Sequence, residues 1–147
     1  ISVKPKTSFL LSISNQKKSD AIPLIRDLHK LNCELYATSG TAELIHGLGI
    51  PVITVKKIET EEDIQDAARE GKQSVVDVIN DGLIGAVINT LEGNRPQHLR
   101  DGFQIRKAAT EKQIPCFTSL DTAIAAIRSL KNPGNYSIKP LIEYRDK

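Results

Sequence analysis

The sequence predicts an α/β fold: one five-stranded parallel sheet with helices on both faces, in three layers. Three observations predict it. Short apolar runs alternate with stretches of helical period from residue 8 to residue 131. The runs are continuous rather than alternating, as in Leu10-Leu11 and Ala86-Val87-Ile88, which suits strands covered on both sides. No internal repeat or low-complexity linker interrupts the series, and 147 residues is the length of one domain.

Each element follows from local signals. Ser8 to Ile13 reads as the first strand. A helix follows it, capped by Ser19 or Asp20, with Pro23 in its first turn and Ala21, Leu24, Ile25, Leu28 and Leu31 on one face. Glu34 to Ala37 is the second strand, and Thr41 to His46 a short helix closed by Gly47 and Gly49. Pro51 to Val55 is the third strand. Thr60 to Gly71 opens on a capping box, Thr60-x-x-Asp63, but offers only Ile64, Ala67 and Ala68 to a core, so it reads as a surface helix or insertion. Ser74 to Asp81 is a helix with Val75, Val78 and Ile79 on one side. Gly85 to Asn89 is the fourth strand, Arg100 to Lys112 a helix, and Pro115 to Thr118 the fifth strand. Ser119 to Leu130 closes the series with Leu120, Ala123, Ile124, Ile127 and Leu130 as its buried stripe. Residues 1–131 form the domain, and the tail 132–147, set off by Asn132-Pro133-Gly134, could add an edge strand.

Composition removes several classes of function. The net charge is only +2 and the cations are scattered, so phosphate-tracking of a nucleic acid is not expected. Aromatic residues are 4% with no Trp and no Met, which leaves neither stacking platforms nor a Met-rich groove. No apolar run approaches the roughly 20 residues of a membrane span, and the N-terminus is no signal peptide, so the chain reads as cytoplasmic. Cys33 and Cys116 each sit in an apolar run and read as buried thiols rather than a disulfide or metal pair. His29, His46 and His98 have no metal-ligand spacing.

In an open parallel sheet, ligands bind beyond the carboxyl ends of the strands. Asn15-Gln16-Lys17-Lys18 follow the first strand, Thr38-Ser39-Gly40-Thr41 the second and Lys56-Lys57 the third. Asn89-Thr90 close the fourth strand and Thr118-Ser119 follow the fifth. These ends supply hydroxyls, an amide and ammonium groups, with no carboxylate before Glu92. The Thr38–Thr41 loop runs straight into a helix, whose first N–H groups and dipole favour an anion, and Gly40 lets a ligand approach the backbone. A phosphate is the natural occupant. Each piece also has a plain structural reading: Thr38 or Ser39 suits a helix cap, the lysines suit solvent, and Thr118-x-x-Asp121 is itself a capping box.

Four segments carry a family resemblance. Thr38-Ser39-Gly40-Thr41-Ala42, Ile88-Asn89-Thr90, Asp101-Gly102-Phe103-Gln104-Ile105-Arg106-Lys107-Ala108-Ala109 and Ile114 to Ala123 resemble the C-terminal allosteric domain of carbamoyl-phosphate synthase large subunits. That domain is methylglyoxal-synthase-like, a Rossmann-like three-layer fold. The resemblance implies a regulatory, non-catalytic unit of an ATP-dependent ligase serving pyrimidine and arginine synthesis. Its effector would be UMP, IMP or phosphoribosyl pyrophosphate, with no cofactor in this domain. It places effector contacts on Lys18, Thr38, Thr41, Lys57, Asn89 and Thr90, and the strand ends add Ser39 and Gly40. It implies as partners the rest of the large subunit, the glutaminase small subunit and possible self-association, but no nucleic acid or membrane. Leu91 stands where some members carry a hydroxyl, and the Thr60–Lys72 stretch is longer than in the members it most resembles. Two other readings are a methylglyoxal synthase acting on dihydroxyacetone phosphate and a ligand-free oligomerisation module. The lyase resembles the chain in its Thr-Gly-Thr loop but uses aspartates where this chain has Ser74-Val75-Val76-Asp77 and Asn89 to Gly93.

Overall fold

A computed structural model of the chain describes residues 7–58, 61–91 and 102–131. Its five strands are β1 (Phe9–Ser12), β2 (Leu35–Thr38), β3 (Ile53–Val55), β4 (Ala86–Asn89) and β5 (Cys116–Phe117). They form one parallel sheet in the order β3-β2-β1-β4-β5. The helices are α1 (Lys18–Lys30), α2 (Ser39–Gly47), α3 (Glu61–Glu70), α4 (Val75–Asn80), α5 (Phe103–Glu111) and α6 (Leu120–Lys131). Register is fixed at the centre, where Leu10 faces Tyr36 on one side and Val87 on the other, and Ser12 faces Asn89.

The continuous apolar strands are explained by two cores. Phe9, Leu11, Leu35, Ala37, Ile88 and Phe117 point into one, shared with Ile25 and Leu28 of α1, Ile45 of α2 and Ile127 of α6. Leu10, Tyr36, Val55, Val87 and Cys116 point into the other, with Val78 and Ile79 of α4 and Ile105 and Ala109 of α5. Successive side chains leave a strand on opposite faces, so every position in β1 and β4 has to be apolar or internally paired. Complete burial of one such Leu or Ile contributes about 1.5–3 kcal/mol. The helix after β1 therefore covers one face and the helix after β4 the other. That reversal opens a crevice between the carboxyl ends of β1 and β4.

Several local expectations are corrected. Neither Ser19 nor Asp20 caps α1: a 3-10 turn over Asn15–Lys17 leads in, closed by Lys17 N–H donating to the Ser14 carbonyl at 3.0 Å, and the helix starts at Lys18. Pro23 consequently lies beyond the first turn, on the exposed side. Helix α2 begins at Ser39, two residues before the expected Thr41. Helix α5 starts at Phe103 rather than Arg100, because Gly102 stands in the left-handed region at φ +78°. Strand β3 keeps only three residues of the expected five, and as an edge it leaves Ile53 and Thr54 exposed. Of the three α3 residues expected to face the core, Ala67 alone is buried, while Ile64 and Ala68 are exposed. Helix α4 matches its expected face and gains a full capping box between Ser74 and Asp77. Cys33 and Cys116 are buried, free thiols. The Thr60 cap, Arg100, His98 and the 132–147 tail lie outside the described residues. No helix among the described residues is long and apolar enough to cross a membrane.

Candidate functional site

A cavity of about 380 Å³ opens at the carboxyl edge of the sheet, within the roughly 300–1,000 Å³ range of small-molecule sites. All eight positions singled out from the sequence line it: Lys18, Thr38, Ser39, Gly40, Thr41, Lys57, Asn89 and Thr90. Ser12, Ile13, Ser14, Asn15, Leu91 and Gly102 complete the wall. No Asp or Glu lines the cavity among the described residues, and none of these residues form a group of three or more potential metal ligands.

The floor is wired by hydroxyls. The chain leaving β1 has two backbone N–H groups with no strand partner. Ile13 N–H donates to Thr41 Oγ1 at 3.0 Å, and Ser14 N–H donates to Thr90 Oγ1 at 2.7 Å. Both hydroxyls come from elements far along the chain and are buried, Thr41 at 2% and Thr90 at 7% exposure. Thr90 also donates its own proton to Ser14 Oγ at 3.3 Å, so both roles of its hydroxyl are used in bracing the Ser14 loop. The Thr41 hydroxyl accepts from the backbone and keeps a proton to donate. Thr38 occupies the N-cap position of α2, yet its side chain makes no capping bond and reaches Ser12 Oγ at 3.4 Å. The simple capping role is thereby removed for Thr38.

The roof is positive. The first N–H groups of α2, from Ser39, Gly40 and Thr41, have no intrahelical acceptor and sit at the positive end of its dipole. Lys18, at the first position of α1, lies over them. A Cβ built on Gly40 would come within 2.9 Å of Lys18 Nζ. An ammonium beside a helix N-terminus is two like potentials at one point, an arrangement that favours an anion between them. Lys57 brings a second ammonium-bearing side chain to the cavity from the end of β3.

Asn89, in the wall at the end of β4, is backed by α5 and by the glycine that caps it. Arg106 Nη1 donates to Asn89 Oδ1 at 3.0 Å, and Gly102 packs directly on the same amide. Sequence reasoning missed Ser12, Ser14 and the parts played by Gly102 and Arg106. The Asp101-Gly102-Phe103-Gln104-Ile105-Arg106 segment was the available signal for the last two. Asp77 accepts from Ser74 N–H at 3.0 Å in the α4 capping box, and neither it nor Asp121 lines the cavity.

The carbamoyl phosphate synthase large chain of Thermomicrobium roseum is 40% identical over 140 residues, covering 94% of this chain and 12% of that protein. The chain thus spans a small part of that relative's length. The solved structure of ForH matches with a TM-score of 0.51 at 18% identity, over 88% of this chain and 82% of that one, and speaks to the fold alone. Residues 20–118 match the MGS-like domain family, which takes in α1 from its third residue through β5 and both the Thr38–Thr41 loop and the Asn89-Thr90 corner. This chain belongs to the MGS-like domain family.

Proposed function

We propose that the chain is the effector-binding regulatory domain of a carbamoyl-phosphate synthase large chain, and that its effector is a phosphorylated nucleotide such as UMP or IMP. The observation that carries this is the donor character of the cavity: two lysines, the α2 N-terminus, buried hydroxyls and no lining carboxylate among the described residues. A phosphate of charge near −2 is the ligand chemistry such a wall suits. The phosphate would lie between Lys18 and the Gly40–Thr41 amides, and the ribose towards Asn89. Lys57 supports a nucleotide over an acylated amino acid such as N-acetylglutamate. A hydrated ammonium gives no flat apolar wall for an acyl chain, although it would pair with a carboxylate. Within the whole synthase the domain would work with the rest of the large chain and the glutaminase subunit, through the coupling of effector binding to the ligase centres. A lyase reading needs a base to take a proton from the substrate, and the cavity offers no carboxylate for it among the described residues.

Calorimetry on the isolated domain tests the proposal with UMP, IMP, phosphoribosyl pyrophosphate and N-acetylglutamate at low and high salt. Binding of a phosphorylated compound that weakens with salt is expected, with N-acetylglutamate much weaker or silent. Tighter binding of N-acetylglutamate than of all three phosphates would sink it.

A further inference from the structure

One side chain outside the cavity wall decides how a residue in that wall is read. Arg106 is half-buried on α5 and donates to Asn89 Oδ1 at 3.0 Å. A guanidinium carries donors only, so the atom it meets has to be the amide oxygen; turning the amide over would set N–H against N–H. Asn89 is 3% exposed, and its Nδ2 lies 3.5 Å from the Ser12 carbonyl, a long contact for one of its two N–H groups. Gly102 closes the remaining side. At φ +78° it brings bare backbone onto the amide, where a Cβ would stand 2.5 Å from Oδ1 and 2.8 Å from Nδ2. The carboxamide is therefore held between a cation and a glycine, with its oxygen already engaged.

We infer that Arg106 is a positioning residue: by occupying the Asn89 oxygen it commits that amide to present N–H, not C=O, to whatever fills the cavity. The ligand then has to place an acceptor oxygen at Asn89, whether from a phosphate, a sugar or a base carbonyl. A flipped amide would put a carbonyl dipole against that oxygen and break the donor character of the wall. The identity of the ligand rests on the nucleotide reading above, whereas the orientation of the amide rests on the Arg106 and Gly102 geometry alone.

The test uses Arg106→Met, which keeps an aliphatic stem without donors, Arg106→Lys, which keeps a cationic donor, and Asn89→Asp, which keeps a partner for Arg106 but removes the N–H. In ligand-free, nitrogen-15-labelled protein the Asn89 side-chain amide resonances should move in Arg106→Met and stay near wild type in Arg106→Lys. In calorimetry with UMP, Arg106→Met should bind about tenfold more weakly at an unchanged melting point, with most of that loss restored in Arg106→Lys. Asn89→Asp should fold as an ion pair and lose at least as much affinity. An unmoved Asn89 amide in Arg106→Met, or UMP affinity within about twofold of wild type, overturns the inference. So does a folded Arg106→Lys as weak as Arg106→Met. Should Arg106→Met fail to fold, Asn89→Asp decides, and wild-type UMP affinity in that variant overturns it. Should wild type bind no phosphorylated nucleotide, the functional reading fails, and the labelled amide alone decides the orientation.

Discussion

The two halves of the cavity are built differently. On the central side, between β1 and β4, every strand residue is buried, and the loop N–H groups of Ile13 and Ser14 are each taken up by a buried threonine hydroxyl. On the edge side, β3 leaves Ile53 and Thr54 exposed. It is joined to the segment before α4 by a short ladder, Lys56 N–H to Gln73 and Val75 N–H to Lys56. Val55 and Ile58, on either side of Lys56-Lys57, are buried in the second core, and an ion pair adds to them, Lys56 Nζ to Glu70 Oε2 at 2.8 Å, with side chains 28% and 43% exposed. The difference teaches where shape and where charge come from. Buried hydrogen bonds fix the central wall, because breaking one leaves an unsatisfied group in a dry place. The edge wall contributes mainly the charge of Lys57, and the ion pair beside it is one that water and salt can weaken.

The largest blow to this contrast would come at Thr41. Replacing it by Val leaves the Ile13 N–H buried without an acceptor and should cost about 1–3 kcal/mol of stability. Urea unfolding would measure it, and an unchanged midpoint would mean that the floor is not held by its hydroxyls. The two lysines sharpen the comparison next. Lys18→Ala should weaken UMP roughly tenfold or more with little change in melting point, since a charge-assisted bond contributes about 1.5–3 kcal/mol. Lys57→Ala should lose less, and its loss should shrink at high salt. Equal losses with equal salt dependence, by calorimetry, would erase the distinction between the walls.

The smallest effect is expected at Lys56→Met. The Lys56 hydrogen bond, then its charge, holds Glu70 below the usual carboxylate range, and Lys72 at 3.7 Å adds to this. The hydrogen bond to Glu70 in turn raises Lys56. A lowered acid stabilises the fold above its unfolded pKa and stops doing so as pH falls through the lowered value. A raised base stabilises below its unfolded pKa and stops as pH rises through the raised value. Melting points of wild type and Lys56→Met should therefore differ slightly near neutral pH and converge at both acid and alkaline extremes. A neutral-pH difference as large as that of Thr41→Val would erase the ranking of the two sides.

Much of this was legible in the sequence because strand ends are visible as breaks from apolar to polar. Lys18, Lys57, Thr38 to Thr41 and Asn89-Thr90 each sit at such a break, and the sheet brings all of them to one cavity. What stayed hidden depends on partners far away in sequence. Thr41 braces a residue 28 positions earlier and Thr90 one 76 positions earlier, and no local pattern encodes either pairing. Ser12 and Ser14 looked like the interior and exit of a strand, yet their hydroxyls meet Thr38 and Thr90. The start of α1 was misplaced because Ser19 and Asp20 are good caps by type, whereas the chain enters through a 3-10 turn that carries Lys18 over Gly40. Gly102 interrupts a helical period that otherwise begins at Arg100, and its close approach to Asn89, a residue 13 positions earlier, is not encoded in any local pattern.

The strand order has a consequence for how the chain folds. The first strand made is the middle one, and its second neighbour, β4, starts at Ala86, opposite Phe9. Strands β1 to β3 pair over short separations, so a nascent chain has the Lys18, Thr38–Thr41 and Lys57 side of the crevice early. The Asn89-Thr90 side arrives only when the longest strand-to-strand closure is made, a step that topology makes slow. The Ser14 loop has its Thr90 acceptor only from that moment. A half-made sheet would carry the cations without the wall that orients them, and a phosphorylated ligand would meet a complete site only on a chain that has finished folding.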